Sequence, residues 1–238
     1  MWLLPTHPPP VPGVEIAFST RPANTVAGDY YDVFPRPAAA SANPSYLVAV
    51  ADVAGKSIPA ALLMATFQAS LKTLSNTPSS LVDLVGGMNL YACSNSQSGL
   101  RFITAFLAEY ESATRTLNYI NAGHNQPLLR RTSGRIERLD VGGLPFGIKA
   151  DAVYQEGAVT LEAGDWLVVF TDGVVEAVNE SDMEYGEERL VSMLNAGADI
   201  SPASMLGRTM ADLDRFVGNA PQHDDITCLM IKASTAYR

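Results

Sequence analysis

Four short segments of the chain place aspartate beside glycine or beside a second aspartate. They are AGDYYD with Asp29 and Asp32, ADVAG with Asp52, FTDG with Asp172, and HDDIT with Asp224 and Asp225. Each segment adjoins a hydrophobic run typical of a strand, where an unpaired carboxylate would be costly to desolvate. Several such carboxylates converging at one end of a sheet need a cation among them. Because no Cys or His cluster accompanies them, oxygen ligands favour Mg²⁺ or Mn²⁺ over zinc.

Two ions held close together by carboxylates would share a water molecule and lower its pKa, which makes a nucleophile at neutral pH. Hydrolysis of a phosphate ester is the natural use of such a site. Any one of these segments alone is better interpreted as a turn, because Asp and Gly are common turn residues. Asp165 in EAGDW is interpreted in that way. The four segments together, each in its own sequence context, favour a metal site.

The remaining pattern predicts the elements that carry these residues. YLVAVADVAG reads as a buried strand and a tight turn, and Pro59 then begins a long helix. A second helix is expected from Ser79 or Ser80 to about Asn95, followed by short strands suited to an antiparallel meander. Two amphipathic helices, the second capped by Ser201, precede a last strand in DDITCLMIKA. This order predicts an α+β fold with two packed sheets and helices outside.

Composition excludes several classes of protein. The 238 residues are 47% hydrophobic and 17% charged, and 16 Lys+Arg against 25 Asp+Glu give a net charge of −9. This hydrophobic fraction argues against disorder, and no apolar run approaches the roughly 20 residues of a membrane span. An acidic chain without basic and aromatic runs is not expected to bind nucleic acid. Cys93 and Cys228 form neither a disulfide framework nor a zinc motif, so a reducing cytoplasm is expected.

Residues 1–12 are rich in proline and are interpreted as a lead-in or linker, and residues 13–238 as one folded domain. Residues 36–45 are expected to form a surface loop. No N-terminal secretory signal is recognised.

The segments occur in an order that resembles the PPM-type metal-dependent serine/threonine phosphatases, in their bacterial SpoIIE-like or RsbU-like branch. The matching segments are AGDYYDVF, VAVADVAGKSIPAALLMA, RFITAFLAEYE, NYINAGHNQPLLR, GGLPFGI, GDWLVVFTDGVVEA, YGEERL and HDDITCLMIK. The resemblance implies an αββα sandwich of two mainly antiparallel sheets flanked by helices. It also implies two Mn²⁺ or Mg²⁺ ions, with a third and weaker one, at one end of the sheets.

The resemblance also implies roles for individual residues. Asp52 would bridge two metals, and the backbone carbonyl of Val53 would complete the coordination of one of them. Asp172 and Asp224 would bind the second metal. Asp29 would act through a metal-bound water or bind a further, weaker ion. These four aspartates form the expected catalytic set, with Asp32 and Asp225 as lesser candidates.

Some positions depart from the family pattern. Ala27 and Ser57 replace glycines that relatives commonly have, and Ala54 stands where eukaryotic relatives carry a histidine proposed as general acid. The proton donor therefore stays unassigned. His124, beside Asn125, is either such a donor or a residue that organises its turn, and His223 is a further histidine near the last aspartates. Arg21 is a candidate bidentate donor to the substrate phosphate.

The implied reaction is attack by a metal-bridging hydroxide on a phosphoserine or phosphothreonine, without a phosphoenzyme. In this branch the substrate is a phosphorylated anti-sigma-factor antagonist of the STAS type, and upstream sensor or dimerisation domains act on the helices after Asp52. A homodimer is compatible with this arrangement. Two alternatives stay open: a pseudophosphatase that only binds a partner, and a phosphoesterase for small molecules. A kinase is excluded because GGLPFGIKA lacks the order of a phosphate-binding loop.

Overall fold

The computed structural model describes residues 4–37, 45–55, 58–95, 101–197 and 199–234. The strands that it describes are β1 (Val14–Arg21), β2 (Tyr30–Arg36), β3 (Ser45–Val53), β4 (Ile103–Glu111), β5 (Thr116–Ala122), β6 (Leu128–Arg130), β7 (Ile136–Arg138), β8 (Gly142–Gly143), β9 (Gly157–Thr160), β10 (Trp166–Phe170) and β11 (Ile226–Ala233). The helices are α1 (Ile58–Ser75), α2 (Leu81–Asn95), α3 (Asp172–Val175), α4 (Glu187–Ala196) and α5 (Pro202–Val217). No helix within these ranges is long and apolar enough to span a membrane.

The strands form two sheets that pack face to face. The first sheet has the order β1-β11-β10-β6-β7, and the second has the order β2-β3-β4-β5-β8, with β9 also paired to β5. All pairs are antiparallel except β5 with β8. Helices α1 and α2 pack on the second sheet, whereas α5 packs on β1 and β11 with α4 beside it. The predicted αββα sandwich is confirmed.

Strand β10 shows why the apolar runs are continuous rather than alternating. Leu167 and Val169 face the core between the two sheets. Trp166, Val168 and Phe170 face the second core, beneath α4 and α5. A strand covered on both faces buries every side chain, so its sequence lacks the alternation of a half-exposed strand.

The expected single meander after α2 is wrong. Strands β4, β5, β8 and β9 belong to the second sheet, whereas β6, β7 and β10 belong to the first. Apolar runs buried on both faces mark strands but do not specify their partners. Strand β2 and the short helix α3 were not predicted either. Pro35 is tolerated in β2 because this strand lies at the edge of its sheet.

The proline-rich start of the chain lies on the body of the fold. Leu4 and Val11 are buried in the core between the sheets, and the Tyr31 hydroxyl donates to the Pro5 carbonyl at 3.1 Å. The boundary between a lead-in and a domain at residue 12 stays a prediction. Most of the expected loop at 36–45 lies outside the described residues, which resume at Ser45.

Two substitutions in α5 should change stability in opposite directions. Ser201 caps this helix, and its hydroxyl accepts from the Ser204 amide at 3.3 Å. Ser201→Ala should therefore lower the free energy of unfolding by about 1 kcal/mol. Gly207 is exposed, and an added Cβ would meet no atom within 4 Å. Gly207→Ala should raise the free energy of unfolding by about 0.5–1 kcal/mol in urea titrations. A stabilised Ser201→Ala variant would contradict the assigned cap.

Candidate functional site

The register of the second sheet places Asp29 beside Asp52. Tyr30, the first residue of β2, pairs with Ala51 of β3. Asp29 and Asp52, one residue further on each chain, therefore face each other at the end of this pair, and a hydrogen bond joins their side chains. Asp29 is only 1% exposed. The edge strand β2 and the central strand β3 thus bring two acids together that are 23 positions apart in sequence.

The first sheet supplies Asp172 and Asp224 at the same end of the sandwich. Phe170 at the end of β10 pairs with Cys228 near the start of β11. Asp172, which begins α3, and Asp224, which precedes β11, consequently lie at one end of this strand pair. Both carboxylates act electrostatically on Asp52 of the second sheet. The structure thus brings the four predicted acids together from both sheets.

Burial and neighbouring charges raise the pKa of Asp29 and of Asp52. Burial is the largest cause of the raised pKa of Asp29, and the charge of Asp52 adds to it, against hydrogen bonds from Thr227 and Thr171. Burial, followed by the charges of Asp172 and Asp224, raises the pKa of Asp52 to about 7. Buried like charges at this density favour a protonated carboxyl or a bound cation.

Among the described residues, no group of three or more acidic, histidine or cysteine side chains is already arranged to hold a metal ion. The donor set nevertheless fits a divalent cation. All of its donors are oxygen atoms, the ligands that Mg²⁺ and Mn²⁺ prefer. A cation would also relieve the repulsion that raises the pKa of Asp52.

The backbone carbonyl of Val53 also faces this end of the sandwich. A Cβ placed on Gly28 would lie 3.3 Å from the Val53 oxygen and 3.5 Å from Cβ of Ala60. Glycine at position 28 therefore allows the segment that carries Asp29 to approach the end of β3 closely. A role for the Val53 carbonyl as a metal ligand stays a prediction.

Asp225 and Asp32 have other partners. The Asp225 carboxylate accepts from the amides of Ala23 and Gly28 at 2.8 and 2.6 Å, so it fixes the loop that leads to Asp29. Asp32 lies inside β2 rather than at its end. Its carboxylate accepts from the Tyr30 hydroxyl at 3.0 Å and pairs with Lys72 of α1 at 2.7 Å. Asp32 thus ties β2 to α1.

A cavity of about 220 Å³ opens beside the acids of the first sheet. Its walls include Arg21, Gly173, Glu176, His223 and Asp224. The Arg21 guanidinium is paired with both carboxylate oxygens of Asp214 in α5. A substrate phosphate at Arg21 would therefore have to compete with the Asp214 carboxylate, which already binds both terminal nitrogens of the guanidinium.

Glu176 is an acidic residue of this region that sequence reasoning missed. Burial is the main cause of its raised pKa, and the charges of Asp172, Glu184 and Asp224 add to it. The available signal was the four-residue spacing from Asp172 in DGVVE, because residues four apart share one face of a helix.

His124 lies in the core, next to the half-buried Asn125. Its Nδ1 atom is 3.1 Å from the Thr104 hydroxyl, and its backbone amide donates to the Asn121 side chain at 2.7 Å. Burial lowers the pKa of His124 to about 4, against an opposing interaction with the Phe170 carbonyl. Because the His124 ring is held neutral, these contacts favour a structural role for His124 in its turn over a role as proton donor. A role for Asn125 toward the substrate stays a prediction.

Gly173 lets α3 lie directly against the turn that carries Asp224. A Cβ at this position would be 2.0 Å from the Asp225 carbonyl oxygen, which belongs to the backbone and moves only with its turn. Gly173→Ala should lower the free energy of unfolding by about 1–3 kcal/mol, measured in urea. Gly86→Ala in α2 is the matched control, because no atom lies within 4 Å of its added Cβ. Equal stability of the two variants would refute this packing.

The buried ring of His124 should make stability depend on pH. Its pKa is about 4 in the folded protein against an ordinary value of 6.5. The unfolded chain therefore takes up a proton below pH 6.5 that the folded chain refuses, and the free energy of unfolding falls toward pH 4, by roughly 3 kcal/mol in total. His124→Gln should remove this part of the pH dependence in urea titrations between pH 8 and 4. Identical pH profiles for the variant and the parent protein would show that the ring is not held neutral.

Comparisons with known proteins agree with this architecture. The family model for stage II sporulation protein E (SpoIIE) matches residues 43–234. Phosphoserine phosphatase RsbU of Bacillus subtilis (strain 168) is 28% identical over 231 residues, which cover 97% of this chain and 66% of RsbU. The chain spans between 33% and 66% of the length of the curated relatives that it matches.

Solved structures show the same fold. The PP2C domain of SiaA from Pseudomonas aeruginosa superposes with a TM-score of 0.77 at 23% identity, over 91% of this chain and 85% of that one. RsbX in complex with magnesium superposes with a TM-score of 0.65 at 18% identity, over 93% of this chain and 96% of that one. The match of the family model over most of the chain establishes that the chain belongs to the SpoIIE family.

Proposed function

We propose that the chain is a metal-dependent protein serine/threonine phosphatase. The observation that carries this proposal is the convergence of Asp29 and Asp52 from one sheet with Asp172 and Asp224 from the other. Burial, together with the charges of Asp172 and Asp224, raises the pKa of Asp52 to about 7, and such a group of acids has little structural use without a cation. The name of RsbU, a phosphoserine phosphatase, and the magnesium in the RsbX structure support the same chemistry for this chain.

In this proposal the residues hold two divalent cations, Mn²⁺ or Mg²⁺. Asp52 would bridge the two ions, the Val53 carbonyl would complete one, and Asp172 and Asp224 would bind the other. Asp29 would bind through water or hold a third, weaker ion. When bound, such ions supply a water molecule of lowered pKa and neutralise charge on the phosphoryl oxygens.

The protein's own contribution is to keep these acids in place. The hydrogen bond between Asp29 and Asp52 lowers the pKa of Asp52, against the effect of burial. The amides of Ala23 and Gly28, bound by Asp225, fix the loop before Asp29. No described cysteine is required as a nucleophile, since Cys228 is buried and burial raises the pKa of its thiol to about 12.

The partners follow from the family. We propose a phosphorylated STAS-type anti-sigma-factor antagonist as the substrate, and an upstream sensor or regulatory domain as the activator, in bacterial signalling. Helices α1 and α2 expose Ile58, Leu62 and Leu90, apolar side chains that suit contact with such a domain or with a second copy in a homodimer. Cys93 and Cys228 are thiols rather than a disulfide in the structure, which suits a reducing cytoplasm as the proposed location.

The test is hydrolysis of a phosphoserine peptide and of an aryl phosphate, with Mn²⁺, with Mg²⁺ and with EDTA. Asp52→Asn and Asp172→Asn should each reduce turnover roughly 100-fold or more, because each removes a charged oxygen from the metal site. Asp151→Asn is the matched control, since Asp151 is 78% exposed and makes only a surface pair with Lys149.

Two outcomes would replace the proposal. Turnover of the aryl phosphate but of no phosphopeptide or phosphoprotein would indicate a small-molecule phosphoesterase. Metal binding without turnover of any substrate, also in the presence of the upstream domain, would indicate a pseudophosphatase that serves as a binding module.

A further inference from the structure

Thr171 precedes Asp172 and occupies the N-cap position of α3. A threonine at this position usually accepts a hydrogen bond from the first turn of its own helix. Here the side chain makes no such bond. Its hydroxyl instead donates to Oδ2 of Asp29 at 2.8 Å, across the interface between the two sheets. The Asp225 carbonyl, at 3.4 Å, is a more distant second acceptor.

The Thr171 hydroxyl both accepts and donates. The backbone amide of Thr227 donates to the Thr171 hydroxyl oxygen at 3.1 Å. The hydroxyl hydrogen is then available to an acceptor. The Asp29 oxygen, at 2.8 Å, is the nearer of its two acceptors.

The surroundings leave this network no alternative partners from solvent. Thr171 and Thr227 are both completely buried, and Asp29 is almost so. The Thr227 side chain also hydrogen-bonds to Asp29, and its hydroxyl lies 2.8 Å from that of Thr20 in β1. A buried polar group without a hydrogen-bond partner lowers the stability of the fold. Each side chain of this hydrogen-bond network therefore fixes the orientation of the next.

We propose that Thr171 is a positioning residue for the metal site. Its hydroxyl binds Oδ2 of Asp29 and thereby restricts the orientation of the carboxyl group that is hydrogen-bonded to Asp52. The inference rests on the proposed function, because it assigns Asp29 to the metal centre. Thr171 itself touches neither metal nor substrate. It couples the residue that precedes Asp172 to an acid of the other sheet.

The test compares Thr171→Val with Thr171→Ser. Valine keeps the branched shape and removes the hydroxyl, whereas serine keeps the hydroxyl. Thr171→Val should weaken Mn²⁺ binding in calorimetry by roughly 10-fold to 100-fold, the usual effect of removing a partner of a metal ligand. Thr171→Ser should restore most of the affinity. Thr209→Val is the matched control, because Thr209 is equally buried and its hydroxyl has no hydrogen-bond partner among the described residues.

Unfolding midpoints in EDTA separate positioning from simple packing. If Thr171 only supports the fold, Thr171→Val will lower the midpoint while the folded variant binds Mn²⁺ as the parent protein does. That result overturns the inference, and so does an equal loss of affinity in Thr171→Val and Thr171→Ser. If Thr171→Val does not fold, Thr171→Ala replaces it in the same comparison with serine.

The inference and the proposed function fail in different ways. Metal-dependent phosphatase activity in the parent protein, combined with unchanged Mn²⁺ affinity in Thr171→Val, would overturn the inference alone. Absence of Mn²⁺ and Mg²⁺ binding in the folded parent protein would overturn both.

Discussion

The candidate site depends on a repulsion that the fold creates: the buried Asp29 and the half-buried Asp52 and Asp172 lie with Asp224 at one end of two packed sheets. Removing charge from water is expensive, and placing like charges side by side adds to the cost. The fold offsets part of this cost with hydrogen bonds, from the Thr171 hydroxyl to Asp29 and from the amides of Ala23 and Gly28 to Asp225. What remains uncompensated would favour a cation at the proposed metal site.

The register of the strands brings acids that are distant in sequence into this cluster. In the second sheet, the pairing of Tyr30 with Ala51 sets Asp29 against Asp52. In the first sheet, the pairing of Phe170 with Cys228 aligns the segments that carry Asp172 and Asp224. A shift of either register by one residue would turn side chains to the opposite face of the sheet. The buried hydrophobic residues of β3, β10 and β11 therefore also determine the geometry of the site.

The acids and most of the elements were predictable because their signals are local. Asp52 and Asp172 each follow a run of buried residues, and Ser201 caps α5 as its position in the sequence indicates. The partners of the middle strands were not predictable, since pairing is a long-range property that apolar runs do not encode. Glu176 and Thr171 were missed for a related reason. Burial and the nearby charge of Asp224 act on Glu176, and the Thr171 hydroxyl donates to Asp29, and both arrangements exist only in the folded chain.

The division of the site between the two sheets has a mechanical consequence. Asp29 and Asp52 belong to one sheet, whereas Asp172 and Asp224 belong to the other. A cation that these acids share would therefore cross-link the two sheets. Binding and sheet packing would then be linked, and the free energy of unfolding would rise with the logarithm of the cation concentration above the Kd. Any contact that separates the two sheets by a fraction of an ångström, even one at the outer face of α1, would lower the affinity for the shared cation. Cation occupancy of the site would thus depend on how closely the two sheets pack.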